Sequence, residues 1–473
     1  MSDKTPTPSQ NGQTPDGTKK PDLPPGLADD GDDREEDTSD EASESGTKNP
    51  DGGRDAGHAS ESDQQPPGTK KPDLPPELAG GDGESGEAGT KKPDGPPGAK
   101  KPAGPPSPGS GDDADDGPTL PPGYSGDGGG DGLSREDFQS DQEVRWCPGC
   151  GDYAILSTVQ RLLPDLGVDK ENVVFISGIG CAGRFPYYMD TYGLHGIHGR
   201  APALATGLKT SNPELDVWVV TGDGDALSIG GNHLIHVLRR NLDTQILLFN
   251  NEIYGLTKGQ YSPTSEQGKV SKSTPHGSVD RPFNPVSVAL GADASFVART
   301  MDRDPQHMKS MMRAAHDHNG TGFLEIYQNC NIFNDGAFFE FTEQETKDDR
   351  ALFLEHGAPM TFADGTKGIR LDTLQPKVID LESGNWSVDD CLVHDETSPE
   401  LATILGRMSW QEEGDAIPRL DEPPLPRPFG VLHRTERPTY EEQVHRQIAD
   451  VTTEKGPGDL DALLRSGETW TIE

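Results

Sequence analysis

Two groups of residues in this chain could do chemistry, and the first is built on oxygen. The run Asp216-Val-Trp-Val-Val-Thr-Gly-Asp-Gly-Asp225 is followed, after one helix-length segment, by Gln245-Ile-Leu-Leu-Phe-Asn-Asn251. Two apolar runs ending in Gly-Asp-Gly and in an Asn pair read as neighbouring strands whose polar ends share one edge of a sheet, where α/β proteins bind ligands. Gly222 and Gly224 let the backbone approach a phosphate and offer it N–H groups. Asp223 supplies a hard anionic oxygen and Asn251 a neutral one, the set that suits Mg2+ held by few protein oxygens plus phosphate. The plain alternative, a turn and a polar strand end, is what a lone Gly-Asp-Gly would deserve.

The second group is built on sulfur. Five cysteines are too few for a disulfide scaffold, so their spacing is read as chemistry or burial. Cys147-Pro-Gly-Cys150 forms a tight loop with two thiolates on one side, Cys181 directly follows an apolar run, and Cys330 lies just past another. These segments can converge at one end of a sheet as four sulfur ligands. Zinc and a 4Fe-4S cluster both accept such a set, and ligand type alone leaves the two open. Cys391 reads as an ordinary free thiol.

The elements that must position these groups are legible as an alternation of strands and helices. Residues 173–177, 216–221, 245–250 and 323–328 read as buried strands. Residues 228–241 carry Ile229, Ile235 and Leu238 at helical spacing, and 305–319 carry Met308, Met311 and Ala315 as core packing. The expectation is an α/β domain with a mainly parallel sheet over 136–342. Residues 1–135 contain a single aromatic, Tyr124, and four irregularly spaced Lys-Lys-Pro or related units. They read as a long disordered acidic Pro/Gly-rich tail. Residues 343–473 read as a less regular C-terminal extension with a helix at 440–449. The whole chain holds 42 basic and 81 acidic residues, a net charge of −39, which excludes nucleic acid or an anionic membrane as main partner. No apolar run approaches the ~20 residues of a membrane span, and the first thirty residues lack a secretory signal, so a cytoplasmic setting is expected.

The oxygen site resembles the thiamine diphosphate fingerprint, Gly-Asp-Gly followed by Asn-Asn. That resemblance implies Mg2+ on Asp223, Asn251 and the Ile253 carbonyl, with Gly224, Asp225, Gly255 and Leu256 along the diphosphate. Together with Trp146-Cys-Pro-Gly-Cys-Gly151, Gly178-Ile-Gly-Cys181, His198-Gly-Arg200, Tyr254-Gly-Leu-Thr-Lys-Gly-Gln260 and Asn329-Cys-Asn-Ile-Phe-Asn-Asp335, the chain resembles the β subunits of 2-oxoacid:ferredoxin oxidoreductases, of the 2-oxoglutarate type and actinobacterial character.

The resemblance implies oxidative decarboxylation of a 2-oxoacid with coenzyme A, giving an acyl-CoA, CO2 and reduced ferredoxin. It implies a 4Fe-4S cluster on Cys147, Cys150, Cys181 and Cys330, with Ile179, Gly180 and Ala182 between cluster and cofactor. Lys258 would meet a substrate carboxylate, while His198 and Arg200 would orient substrate or diphosphate, or cap a helix. The Glu that thiamine diphosphate requires would sit on a separate α subunit. Three alternatives stay open: a pyruvate or broad-range enzyme, a non-oxidising thiamine enzyme with structural zinc, and a scaffold with a vestigial site. Arg239 and Arg240 are candidates for a basic patch facing an acidic ferredoxin.

Overall fold

The computed structural model describes residues 132–408 and 424–468, together with 470 and 472. The tail expected over 1–135 therefore lies outside the described residues except for its last four. Within the described residues, apolar runs form β1 (Val173–Ser177), β2 (Tyr192–His195), β3 (Asp216–Gly222) and β4 (Thr244–Asn250). A short hairpin, β5 (Ile253–Tyr254) and β6 (Gln260–Tyr261), follows at once. Then come β7 (Phe296–Met301), β8 (Thr321–Tyr327), β9 (Ala351–Phe353), a small sheet of β10 (Thr361–Phe362), β11 (Lys367–Asp372) and β12 (Gln375–Asp380), and finally β13 (Arg427–Arg434).

Eight strands make one sheet in the order β2-β1-β3-β4-β8-β7-β13-β9, parallel throughout except where β13 runs against β7. Alternation along each strand fills both faces. On β1, Val174 and Ile176 enter one core while Val173 and Phe175 enter the other; on β4, Ile246 and Leu248 oppose Leu247 and Phe249. A sheet covered on both sides explains why these strands read as unbroken apolar runs. One face is covered by α1 (Asp152–Leu166) and Pro305–His316, the other by α2 (Ala201–Ser211) and, after a helical turn α3 (Asp223–Leu227), by α4 (Gly231–Arg240). No helix among the described residues is long and apolar enough to cross a membrane.

Chain order matters for function. The chain steps from β1 outward to β2, then returns to the other side of β1 with β3 and moves on to β4, so the strand order reverses between β1 and β3. That reversal opens a crevice at their carboxyl ends, the place where open α/β sheets bind ligands.

Three expectations change here. Of the three apolar residues read at helical spacing over 228–241, Leu238 is buried, but Ile229 is 50 % and Ile235 42 % exposed, and Leu234 and Val237 face the core with Leu238. Arg239 and Arg240 end α4 just before β4 starts, so they lie at the end of the sheet opposite the crevice, about 20 Å away along seven residues of strand. They are remote from the cysteines. The segment 343–473 does more than extend the domain, because β9 and β13 are strands of the main sheet.

An ion pair ties β13 to the sheet. Arg299 and Glu325, both fully buried, meet at 2.7 Å; Arg299 Nη1 donates to the Pro428 carbonyl and Glu325 accepts from Asn250 Nδ2. Arg299→Met leaves Glu325 buried without its cation and is expected to cost about 3–5 kcal/mol in urea unfolding, much of it recovered when Glu325→Met is added.

Candidate active site

The crevice holds a pocket of about 110 Å³ built from the loops after β1, β3 and β4. Ile179, Gly180, Cys181 and Ala182 form one wall; Gly222, Asp223, Gly224 and Asp225 form the floor; Asn251, Ile253, Gly255 and Leu256 close the other side, and His198 reaches in at the rim. Thirteen residues singled out from the sequence thus meet in one place. The pocket opens into a groove of about 870 Å³ through His198, Tyr254 and Thr257, and into a cleft of about 340 Å³ through Ile179, Gly180 and Leu256.

The two acids of Gly222-Asp-Gly-Asp225 play different parts. Asp225 is buried and accepts from Ile179 N at 3.0 Å, Gly199 N at 2.7 Å, Thr221 Oγ1 at 2.7 Å and His198 Nδ1 at 2.5 Å. Its carboxylate is spent on holding three segments together, so it lines the pocket without oxygens to spare. Asp223, equally buried, accepts from Ser262 and Thr264, both at 2.6 Å and both on Oδ2. Burial pushes its carboxyl upward, with the Ser262 and Thr264 hydrogen bonds acting in the other direction. A buried carboxylate with one oxygen uncommitted is a fitting ligand for a divalent cation.

The Asn pair is held as firmly. Asn250 donates to Glu325 at 2.8 Å, and Asn251 donates to Gln328 at 2.7 Å while its Oδ1 accepts from Ile253 N at 3.2 Å. Gly224 has to be glycine, since a Cβ there would fall 2.3 Å from the Tyr254 ring, whose hydroxyl donates to the Gly224 carbonyl at 3.0 Å. Gly180, at φ +119° with nothing within 4 Å of an added Cβ, leaves open space beside the wall. The residues present therefore fit a Mg2+-bound diphosphate.

The four thiols adjoin that pocket, and Cys181 belongs to both. A Cβ on Gly255 would lie 3.6 Å from Cys181 Sγ and also 3.6 Å from Cys330 Sγ. Burial, then the Asp152 carboxylate, then Cys330 and Cys147 push the Cys181 thiol up to about 12, and Cys150 is raised by burial, Asp152, Cys181 and Cys330. Cys181 and Cys150 thus each sense neighbouring thiols, and a bound cationic centre would reverse the effect. Among the described residues no group of three or more His, Cys, Asp or Glu is set to hold a single metal ion. Cys391 is buried against Gly368 in the small sheet.

Two assignments move. Arg200 sits at the N-cap of α2, outside the pocket, so the helix-end reading is the one the geometry favours. Lys258 is exposed on the β5–β6 turn at φ +83°, past the lining residues Leu256 and Thr257. A lysine in this backbone region costs of order 1–3 kcal/mol, a strain seen where position matters.

Sequence reading also missed residues. Asp152, fully buried on the pocket wall, has a carboxyl raised by burial to about 7, with the Cys150 thiol acting in the other direction; Asp302 beside it is raised to about 6. Arg184, three residues past Cys181, lines the 340 Å³ cleft with Arg145. Basic residues this close to an acidic chain's cysteine motif were the available signal.

Comparison with known proteins agrees with this geometry. Residues 178–326 match the family described as the thiamine pyrophosphate enzyme C-terminal TPP binding domain. The 2-oxoglutarate oxidoreductase subunit KorB of Mycobacterium tuberculosis is 51 % identical over 72 % of this chain and 88 % of its own length. A 2-oxoacid:ferredoxin oxidoreductase β subunit of Sulfolobus sp. is 45 % identical over 40 % of this chain and 63 % of its own. Among solved structures, the 2-oxoglutarate:ferredoxin oxidoreductase of Magnetococcus marinus, with 2-oxoglutarate, coenzyme A and succinyl-CoA bound, superposes with a TM-score of 0.54 at 29 % identity, covering 72 % of this chain and 97 % of that one. Fold and site thus define a thiamine-diphosphate-binding domain of an oxidoreductase. The chain belongs to the 2-oxoglutarate oxidoreductase β subunits within the 2-oxoacid:ferredoxin oxidoreductase family.

The contrast between the two acids is testable in the metal-free chain. Asp225→Ala orphans buried N–H groups at about 1–3 kcal/mol each and should lower the thermal midpoint sharply. Asp223→Asn keeps an acceptor for Ser262 and Thr264 and removes a buried charge, so its midpoint should equal or exceed that of the parent.

Proposed function

We propose that this β subunit, paired with an α subunit, oxidatively decarboxylates 2-oxoglutarate with coenzyme A to succinyl-CoA and CO2 and delivers the electrons to ferredoxin. The observation that carries this reading is the double membership of Cys181, which lines the diphosphate pocket and stands among the four thiols. Thiamine diphosphate, when bound, supplies a nucleophilic carbon for the keto acid and an electron-rich centre after CO2 leaves, and a 4Fe-4S cluster takes single electrons where zinc cannot.

The chain's own residues then divide the work. Asp223, Asn251 and the Ile253 carbonyl hold Mg2+, and Gly222, Gly224, Gly255 and Leu256 line the diphosphate. Cys147, Cys150, Cys181 and Cys330 hold the cluster, with Ile179, Gly180 and Ala182 forming the intervening wall. His198, fixed through Nδ1 by Asp225, keeps Nε2 for the pocket side. Arg184 supplies a guanidinium to the adjoining cleft and Lys258 an ammonium on the loop above it; a dicarboxylate offers both a partner. The exposed β2 edge and the exposed Ile197, Ile229 and Ile235 give the partner subunit an apolar surface. Five free cysteines suit a reducing, cytoplasmic setting.

Two measurements test this. The α–β complex purified anaerobically should be brown, with four iron and four acid-labile sulfide per β chain; stoichiometric zinc in colourless protein would overturn the reading. Arg184→Ala should raise KM for 2-oxoglutarate by about tenfold, the scale of one lost charged hydrogen bond, while leaving KM for pyruvate nearly unchanged. Equal losses for both substrates would remove Arg184 from substrate selection.

A further inference from the structure

Gln328 follows β8 directly and is buried. Its amide touches both chemical centres. Oε1 accepts from Asn251 Nδ2 at 2.7 Å, while Nε2 donates to Cys150 Sγ at 3.3 Å and to the Asn329 carbonyl at 2.6 Å. The orientation of this amide follows from its partners. A carbonyl can only accept, so the nitrogen faces Asn329 and Cys150, and the oxygen faces Asn251. With Nδ2 engaged, the oxygen that Asn251 could offer a metal is Oδ1, which also accepts from Ile253 N at 3.2 Å.

The surrounding backbone fixes the same geometry. Gln328 N donates to the Asn250 carbonyl at 2.9 Å, Gly151 N donates to the Asn329 carbonyl at 3.1 Å, and Asn329 N donates to Asp302 at 2.7 Å. The loop carrying Cys147 and Cys150 is thereby laced to the segment carrying Cys330, with Gln328 at the join. Nε2 is already served by the Asn329 carbonyl, so its contact with the Cys150 sulfur is additional, while Oε1 has the Asn251 side chain as its partner; each contact reaches a residue assigned above to hold a cofactor.

We infer that Gln328 is a positioning residue shared by the two centres, its N–H acting on the Cys150 sulfur and its oxygen orienting Asn251 for the metal. The inference rests on the cofactor assignment proposed above. An N–H directed at a cluster sulfur stabilises the more negative, reduced state and so raises the reduction potential. An outer partner that orients a metal ligand typically contributes 10–100-fold in metal affinity.

The test uses the holoenzyme, co-expressed with its partner subunit and purified anaerobically, with two substitutions. Gln328→Leu fills the space and removes both functions. It should move the cluster midpoint, read by EPR-monitored titration, to more negative potential, and weaken Mg2+ in thiamine diphosphate binding by about tenfold or more. Gln328→Glu keeps an oxygen for Asn251 and loses the donor to sulfur, so the midpoint should again fall while Mg2+ dependence stays close to that of the parent. An unshifted midpoint in both variants, or unchanged Mg2+ dependence in Gln328→Leu, overturns the inference. Should Gln328→Leu not retain iron, the midpoint of Gln328→Glu decides alone. Absence of iron from the parent enzyme would overturn the cofactor assignment itself and this inference with it; an iron-loaded parent with unmoved variants overturns only the role of Gln328.

Discussion

The site depends on one buried carboxylate. Asp225 takes hydrogen bonds from the loop after β1, from the His198-Gly199 turn and from the end of β3. Burying an anion is costly unless every oxygen is served, and charge-assisted bonds offset that cost where neutral ones would not. The geometry is tight: a Cβ on Gly178 would lie 1.9 Å from Asp225 Oδ2, and a Cβ on Gly199 2.5 Å from Gly230 N. Three loops from separate parts of the chain are therefore locked in register, and the wall Ile179–Ala182 has a defined place relative to the floor at Gly222–Asp225. The second acid of the motif builds the site; the first spends only Oδ2 on hydrogen bonds.

A second theme is the concentration of negative charge. Asp152, Asp302 and the thiols are crowded beside a pocket that already contains Asp223 and Asp225, and burial raises Asp152 and Asp302 well above the usual carboxylate range. Burial favours the uncharged forms of these groups, and a cation bound beside them would favour the ionised ones. Arg184, lowering the Cys181 thiol from close by, is a local exception in an acidic chain.

Much of this was legible before any coordinates. Strands buried on both faces announce themselves as unbroken apolar runs, and β1, β3, β4 and β8 fall within a residue or two of their expected limits. Glycines, polar side chains and cysteines at strand ends are local signals, so Gly222–Asp225, Asn251 and the cysteines were visible. Long-range features were not. Gln328 and Asp302 act through partners distant in sequence, and nothing in their own neighbourhood marks them. Ile235 lies on α4 but Ile229 on the turn before it, and periodicity does not say which face meets the sheet. Arg200 shares a tripeptide with His198, but the start of α2 turns the two residues apart. The strand β13 was missed because half of its pairing is antiparallel to a neighbour over a hundred residues upstream, a partnership that no local pattern encodes.

That strand has a consequence for biosynthesis. β9 joins the sheet only through β13, and β13 is wedged between β9 and β7. Until residues 427–434 have been made, the flank of β7 has no occupant and β9 has nowhere to dock. The nascent protein therefore carries an unsatisfied edge for the more than seventy residues that separate β9 from β13, a window in which premature association would act on it.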